Sequence, residues 1–118
     1  MNREEKVELV KECIESRDSL FNSFGELEKL VGTFSESSPL WNSMCSMDNA
    51  LQKSVSLNIG DVEMLNGMTW LNWFIYDNDC GKKGYTASVN AGKERSIKTI
   101  EDLLDLIDED NRFNAINE

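Results

Sequence analysis

Residues 69 to 81 read TWLNWFIYDNDCG, a run that places Trp70, Leu71, Trp73, Phe74, Ile75 and Tyr76 almost back to back before turning polar at Asp77. With successive residues about 100° apart around a helix, those side chains point in nearly every direction. A helix that is apolar all round is one surrounded by protein. The run therefore predicts a central helix against which the other elements pack. Thr69 or an adjacent residue caps its start, and Gly81 follows its end. Asp77, Asn78, Asp79 and Gly81 form a structural turn where the chain leaves the core. Asp and Asn side chains satisfy backbone groups at such turns, and Gly81 and Gly84 permit positive φ.

The rest of the chain supplies what packs around this helix. Val7, Val10, Ile14, Phe21, Phe24 and Val31 recur at helical spacing between residues 3 and 31, with Arg17 the one break and Leu20, Leu27 and Leu30 widening the stripe. The opposite face holds Glu4, Glu5, Glu8, Lys11, Glu12 and Glu15, and Gly32 is a natural stop. Gly25, inside the pattern, costs about 1 kcal/mol relative to Ala and invites a kink or a close neighbour. TFSESSPLW reads as a loop with Ser38 as N-cap and Pro39 at the first helical position. Leu40, Met44, Met47, Leu51 and Val55, broadened by Trp41 and Cys45, then predict a second helix to about Leu57, so that residues 3–58 form an antiparallel helical hairpin. Val62 to Leu65 form a further turn before Asn66 and Gly67 interrupt it, within an aromatic helix and turn spanning 61–81. YTASV and RSIKT read as the strands of a small β-hairpin over 85–99. Thr99 and Asp102 form a T-x-x-D capping box for a last helix over 100–110, with Ile100, Leu103, Leu104, Leu106 and Ile107 on its apolar side. Asp108, Glu109 and Asp110 fall where a helix C-terminus disfavours acids, so the helix is expected to fray there and leave NRFNAINE loosely held. The expected fold is one domain over 1–118, mainly α, or α+β if the hairpin forms.

Charge narrows the functional classes. The 22 acidic and 12 basic residues give a net charge of −10, unsuited to nucleic acid phosphates or anionic membranes and suited to a protein partner with a basic surface. No apolar run approaches the roughly 20 residues of a membrane span. The charged start MNREEKVELV does not resemble a secretion signal, and a cytoplasmic setting is expected. Histidine is absent, so Ser-His-Asp, Cys-His and His-ligated metal chemistry cannot be built from this chain alone. The three cysteines, Cys13, Cys45 and Cys80, are far apart, which fits free thiols better than a disulfide framework. No metal or other cofactor is expected. DNDCGKKG fails as a calcium loop, because counting from Asp77 puts Gly81 at the fifth position and Ser88 where the bidentate Glu belongs. The aromatic run lacks the flanking cations of a base-stacking platform, and core packing accounts for it better. Candidate partner-binding residues are Glu4, Glu8, Glu12 and Glu15 on the first helix, and Asp105, Asp108, Glu109 and Asp110 on the last.

The run W-L-N-W-F-I-Y-D-N-D-C-G-K-K-G, followed by I-K-T-I-E-D-L-L-D-L-I, resembles a pattern in small uncharacterised proteins of tailed bacteriophages and prophages, over roughly residues 68 to 108. The resemblance carries no catalytic residue set. It implies a host-cytoplasm setting and a non-enzymatic accessory role, binding a protein and modulating a host enzyme or defence complex. Alternatives are an acidic DNA mimic that occupies a nucleic-acid-binding protein, a small structural or assembly protein, and an enzyme using paired carboxylates. A homodimer through the hairpin stays open.

Overall fold

The computed structural model describes residues 1–31, 39–62, 65–89 and 93–117. The first helix, α1 (Arg3–Val31), has the bounds its stripe predicts, and α2 (Pro39–Asn58) ends one residue beyond Leu57. The Gly32 stop, the loop before Pro39 and the Ser38 cap lie outside the described residues. Asn2 and Glu5 cap α1 reciprocally: the Glu5 N–H donates to Asn2 Oδ1 at 2.9 Å, and the Asn2 N–H donates to Glu5 Oε1 at 3.1 Å.

The two helices run antiparallel, since Arg17 meets Asp48 while Phe24 meets Trp41 edge to face at 5.5 Å between centroids. Their contact does not follow the apolar stripes throughout. On α1, Val10 and Cys13 are buried, but Leu27 and Leu30 face solvent. On α2, Met44 and Val55 are buried, Met47 is turned outward, and Asp48, Gln52 and Ser56 occupy the inner face instead. Arg17 explains the difference. The residue that breaks the stripe lies inside the seam with its side chain only 18% exposed, and its Nε donates to Asp48 Oδ1 at 2.9 Å. A charge held there needs a partner, and the phase of α2 that supplies Asp48 turns Met47 to solvent. Gly25 has open space where a Cβ would stand, so no neighbour approaches it closely.

The core lies toward one end of this hairpin. Val10 and Cys13 of α1 and Val55 and Ile59 at the end of α2 join a buried cluster with α3 (Trp70–Tyr76), β1 (Tyr85–Val89), β2 (Lys93–Ile97) and α4 (Ile100–Asn117). The turn expected over Val62 to Leu65 lies partly outside the described residues; a 3-10 turn covers Leu65–Gly67, with Asn66 at φ 59° and Gly67 at φ 76°. Trp70, Leu71, Phe74 and Ile75 of α3 are buried, but Trp73 is half-buried and Tyr76 is 43% exposed. The aromatic helix is thus not surrounded on every side. It packs on α2 and α4, and the Tyr76 hydroxyl turns to Asp48 and Gln52 of α2.

β1 and β2 pair antiparallel, with Tyr85 opposite Ile97 and Val89 opposite Lys93. The second strand therefore begins two residues earlier than RSIKT suggests. It also stops earlier, because the Lys98 and Thr99 amides donate to Asp102 Oδ2 at 2.9 and 3.1 Å and are lost to the ladder. The Asp102 N–H returns a bond to Thr99 Oγ1 at 3.1 Å, completing the predicted capping box. Those bonds hold the Asp102 carboxyl below its ordinary range. The last helix does not fray near Asp108 to Asp110 but continues to Asn117. Its acids there lie in mid-helix, and Arg3, Arg95, Trp70 and the Gly60 carbonyl hold that segment against the rest of the fold.

Candidate functional site

The two acidic sets proposed from sequence have different surroundings. Glu4, Glu8, Glu12 and Glu15 are exposed along α1, and among the described residues none makes an ion pair. On α4 the charges are engaged. Arg3 Nη2 bridges Asp105 Oδ1 at 2.8 Å and Asp108 Oδ2 at 2.9 Å, while its Nη1 lies 3.6 Å from Glu101. Arg95 Nη1 reaches Glu109 Oε2 at 2.6 Å, and Trp70 Nε1 approaches Asp110 Oδ2 at 3.5 Å, the long limit of a hydrogen bond. These α4 acids join α4 to α1, β2 and α3 as much as they face outward.

The turn after α3 packs back on β2 through Asn78. Asn78 is fully buried and donates from Nδ2 to the Ile97 carbonyl at 2.7 Å, tying the turn to β2. The Cys80 N–H donates to the Phe74 carbonyl at 3.0 Å, and the Lys83 N–H to the Asn78 carbonyl at 3.1 Å. Positive φ extends beyond the glycine: Asp79, Cys80 and Gly81 adopt it in succession. Burial raises the Cys80 thiol, as do Asp18 and Asp79, against the lowering effect of Arg17. All three cysteines are free thiols.

Between α2 and α3 lies a cleft of about 430 Å³ that sequence reasoning did not single out. Asn49, Lys53, Ser56 and Leu57 line it from successive turns of α2, while Thr69, Asn72 and Tyr76 line it at α3. Asp61, Gly67 and Met68 close the remaining side. A continuous hydrogen-bond network forms its floor. Asp48 accepts from Arg17, from Gln52 Nε2 at 3.0 Å and from the Tyr76 hydroxyl at 3.2 Å. Gln52 accepts in turn from Asn72 Nδ2 at 2.6 Å, and Asn72 Oδ1 accepts the Thr69 N–H at 2.7 Å. The Ser56 and Thr69 hydroxyls share a bond of 2.9 Å. Asp61, 2% exposed, accepts the Trp70 N–H at 3.2 Å and the Leu71 N–H at 2.7 Å, one on each oxygen. Burial pushes its carboxyl up to about 6, against the Leu71 and Trp70 amides and the Thr69 hydroxyl, which pull it down.

The Ser56 hydroxyl meets another hydroxyl rather than a base, and both Asp61 oxygens already accept amides. The signals that could have revealed the cleft were the T-x-x-N capping pattern of Thr69 and Asn72 and the four-residue spacing of Asp48, Gln52 and Ser56 opposite Arg17.

These elements define a mainly α-helical fold that combines a helical hairpin with a two-stranded β-hairpin. No family model matches the chain, and no curated protein or solved structure matches it either. Among the described residues, no helix is long and apolar enough to cross a membrane.

Proposed function

We propose that this protein acts by binding another protein, using the solvent-facing side of α1 against a basic surface. One observation carries the reading: Glu4, Glu8, Glu12 and Glu15 share a single stripe of α1 with Leu30, less than about a quarter-turn wide by the helical repeat. The four acids are exposed and Leu30 is 79% exposed. Charge steers an encounter, and an exposed apolar side chain gives the contact something to bury. The resemblance of residues 68 to 108 to small phage and prophage proteins supports an accessory role in a bacterial host cytoplasm, where the partner is a host enzyme or defence complex. The DNA-mimic reading is less well supported, because a phosphate-like track needs free charge and the α4 acids are joined to Arg3 and Arg95.

The test is capture from bacterial lysate followed by binding kinetics with the purified partner. Replacing Glu4, Glu8, Glu12 and Glu15 with Gln should slow association and flatten its salt dependence. Leu30→Ser should instead speed dissociation. The control is Glu94→Gln, an exposed change on β2. A partner that binds the α1 variants and the control alike would reject the α1 surface.

A further inference from the structure

We propose that the cleft between α2 and α3 binds a small monoanionic organic acid, with its carboxylate at Lys53 and its apolar body against Leu57 and Met68. This site is separate from the α1 stripe and does not depend on it. The cleft, at about 430 Å³, falls in the size range of small-ligand sites, roughly 300–1,000 Å³. Its lining sets the apolar side chains of Leu57 and Met68 beside the polar groups of Asn49, Lys53, Ser56, Thr69 and Asn72.

Charge decides the class of ligand. Among the described residues, Lys53 is the one cationic side chain lining the cleft. Among the described residues it makes no ion pair, whereas Arg17 at the far end of the network is committed to Asp48. Asp61 offers little to a cation, since each of its oxygens accepts a backbone amide. A dianion such as a phosphate monoester would face only one lysine beside that buried acid. A single negative charge is the better match.

The apolar part follows from Leu57 and Met68. Leu57 is 65% exposed at the end of α2, leaving surface that an aliphatic chain can cover. Met68 is brought opposite by the consecutive left-handed residues Asn66 and Gly67. Asn and Gly adopt that conformation readily, so the turn holds Met68 in place without strain.

The test is an NMR titration of the full chain with sodium hexanoate, compared with neutral hexanamide and cationic hexylamine. Hexanoate should give saturable shifts at Lys53, Leu57, Met68 and the Asn72 side-chain amide. Hexanamide should bind roughly fivefold more weakly, the worth of an exposed ion pair, and hexylamine should shift none of these signals. Lys53→Met, a change at an exposed position, should remove the advantage of the acid over the amide. Leu57→Ala should weaken acid and amide together. The proposal fails if hexanoate produces no saturable shifts in the cleft, if acid and amide bind equally, or if Lys53→Met leaves hexanoate affinity unchanged.

Discussion

Gly81 shows how much one position can decide. Its φ is +92°, and a Cβ built there would stand 2.6 Å from the Lys98 carbonyl oxygen and 3.2 Å from Phe74 Cζ. The oxygen cannot step aside cheaply, because the Lys98 amide belongs to the cap of α4. Asp79 and Cys80 already hold positive φ just before it. Gly81→Ala should therefore destabilise the protein by about 2–3 kcal/mol, combining strain and clash. Gly25→Ala should act in the opposite sense and stabilise by up to about 1 kcal/mol, since Gly25 is helical with open space around its missing Cβ. Urea unfolding of both variants checks the pair, and equal shifts of one sign would refute the distinction. Cys13 is a contrasting residue. Burial raises its thiol to about 11, Asp48 adds to the rise and Arg17 opposes it, so it behaves as a small core residue rather than a nucleophile.

At the scale of elements, α3 has only seven residues and would not persist alone. Side chains occupy its first amides: Asn72 takes the Thr69 N–H, Asp61 those of Trp70 and Leu71, and Thr69 that of Asn72. Asp61 makes this cap sensitive to pH. Its folded carboxyl titrates near 6 against an ordinary 3.8, so the folded state binds the proton more tightly. That contribution is fully present below about 3.8 and is lost as pH rises through about 6, on the order of 3 kcal/mol across the window. Asp61→Asn removes the titration but supplies only one acceptor oxygen for two amides. The stability of wild type relative to Asp61→Asn should thus fall between pH 4 and 6 in urea titrations; a constant difference would contradict the assignment. Much of this architecture was legible in sequence. The α1 stripe, the Thr69 cap, the Thr99–Asp102 box and the need for Gly81 are local patterns, and local chemistry governs them. What was not legible depends on partners distant in the chain. Arg17 set the phase of α2, Arg3 and Arg95 held the acidic part of α4 in place, and the cleft arose from polar residues that read singly as ordinary helix surface.

At the scale of the whole molecule, charge works in two directions. A net charge of −10 on a body measuring 53 × 28 × 25 Å is self-repelling, and the repulsion weakens as salt shortens the Debye length from about 30 Å at 0.01 M to about 3 Å at 1 M. Arg3 opposes it locally. From the first turn of α1 it meets Asp105 and Asp108 and lies near Glu101, joining the N-terminal helix to the last one. These groups are partly exposed, so the clamp is worth no more than about 1 kcal/mol after solvent screening. Its sign is still measurable. In wild type, added salt screens the favourable Arg3 contacts together with the unfavourable net repulsion, and the two effects partly cancel. Arg3→Gln takes the net charge from −10 to −11 and leaves Glu101, Asp105 and Asp108 facing the end of α1 without a cation. The variant should lose stability most at 0.01 M salt and recover toward wild type as salt is raised, because only repulsion remains to be screened. Melting temperatures of both proteins across that salt range test it. A deficit that stays constant would mean that Arg3 acts through the packing of its aliphatic stem, and one that grows with salt would rule out the electrostatic clamp between α1 and α4.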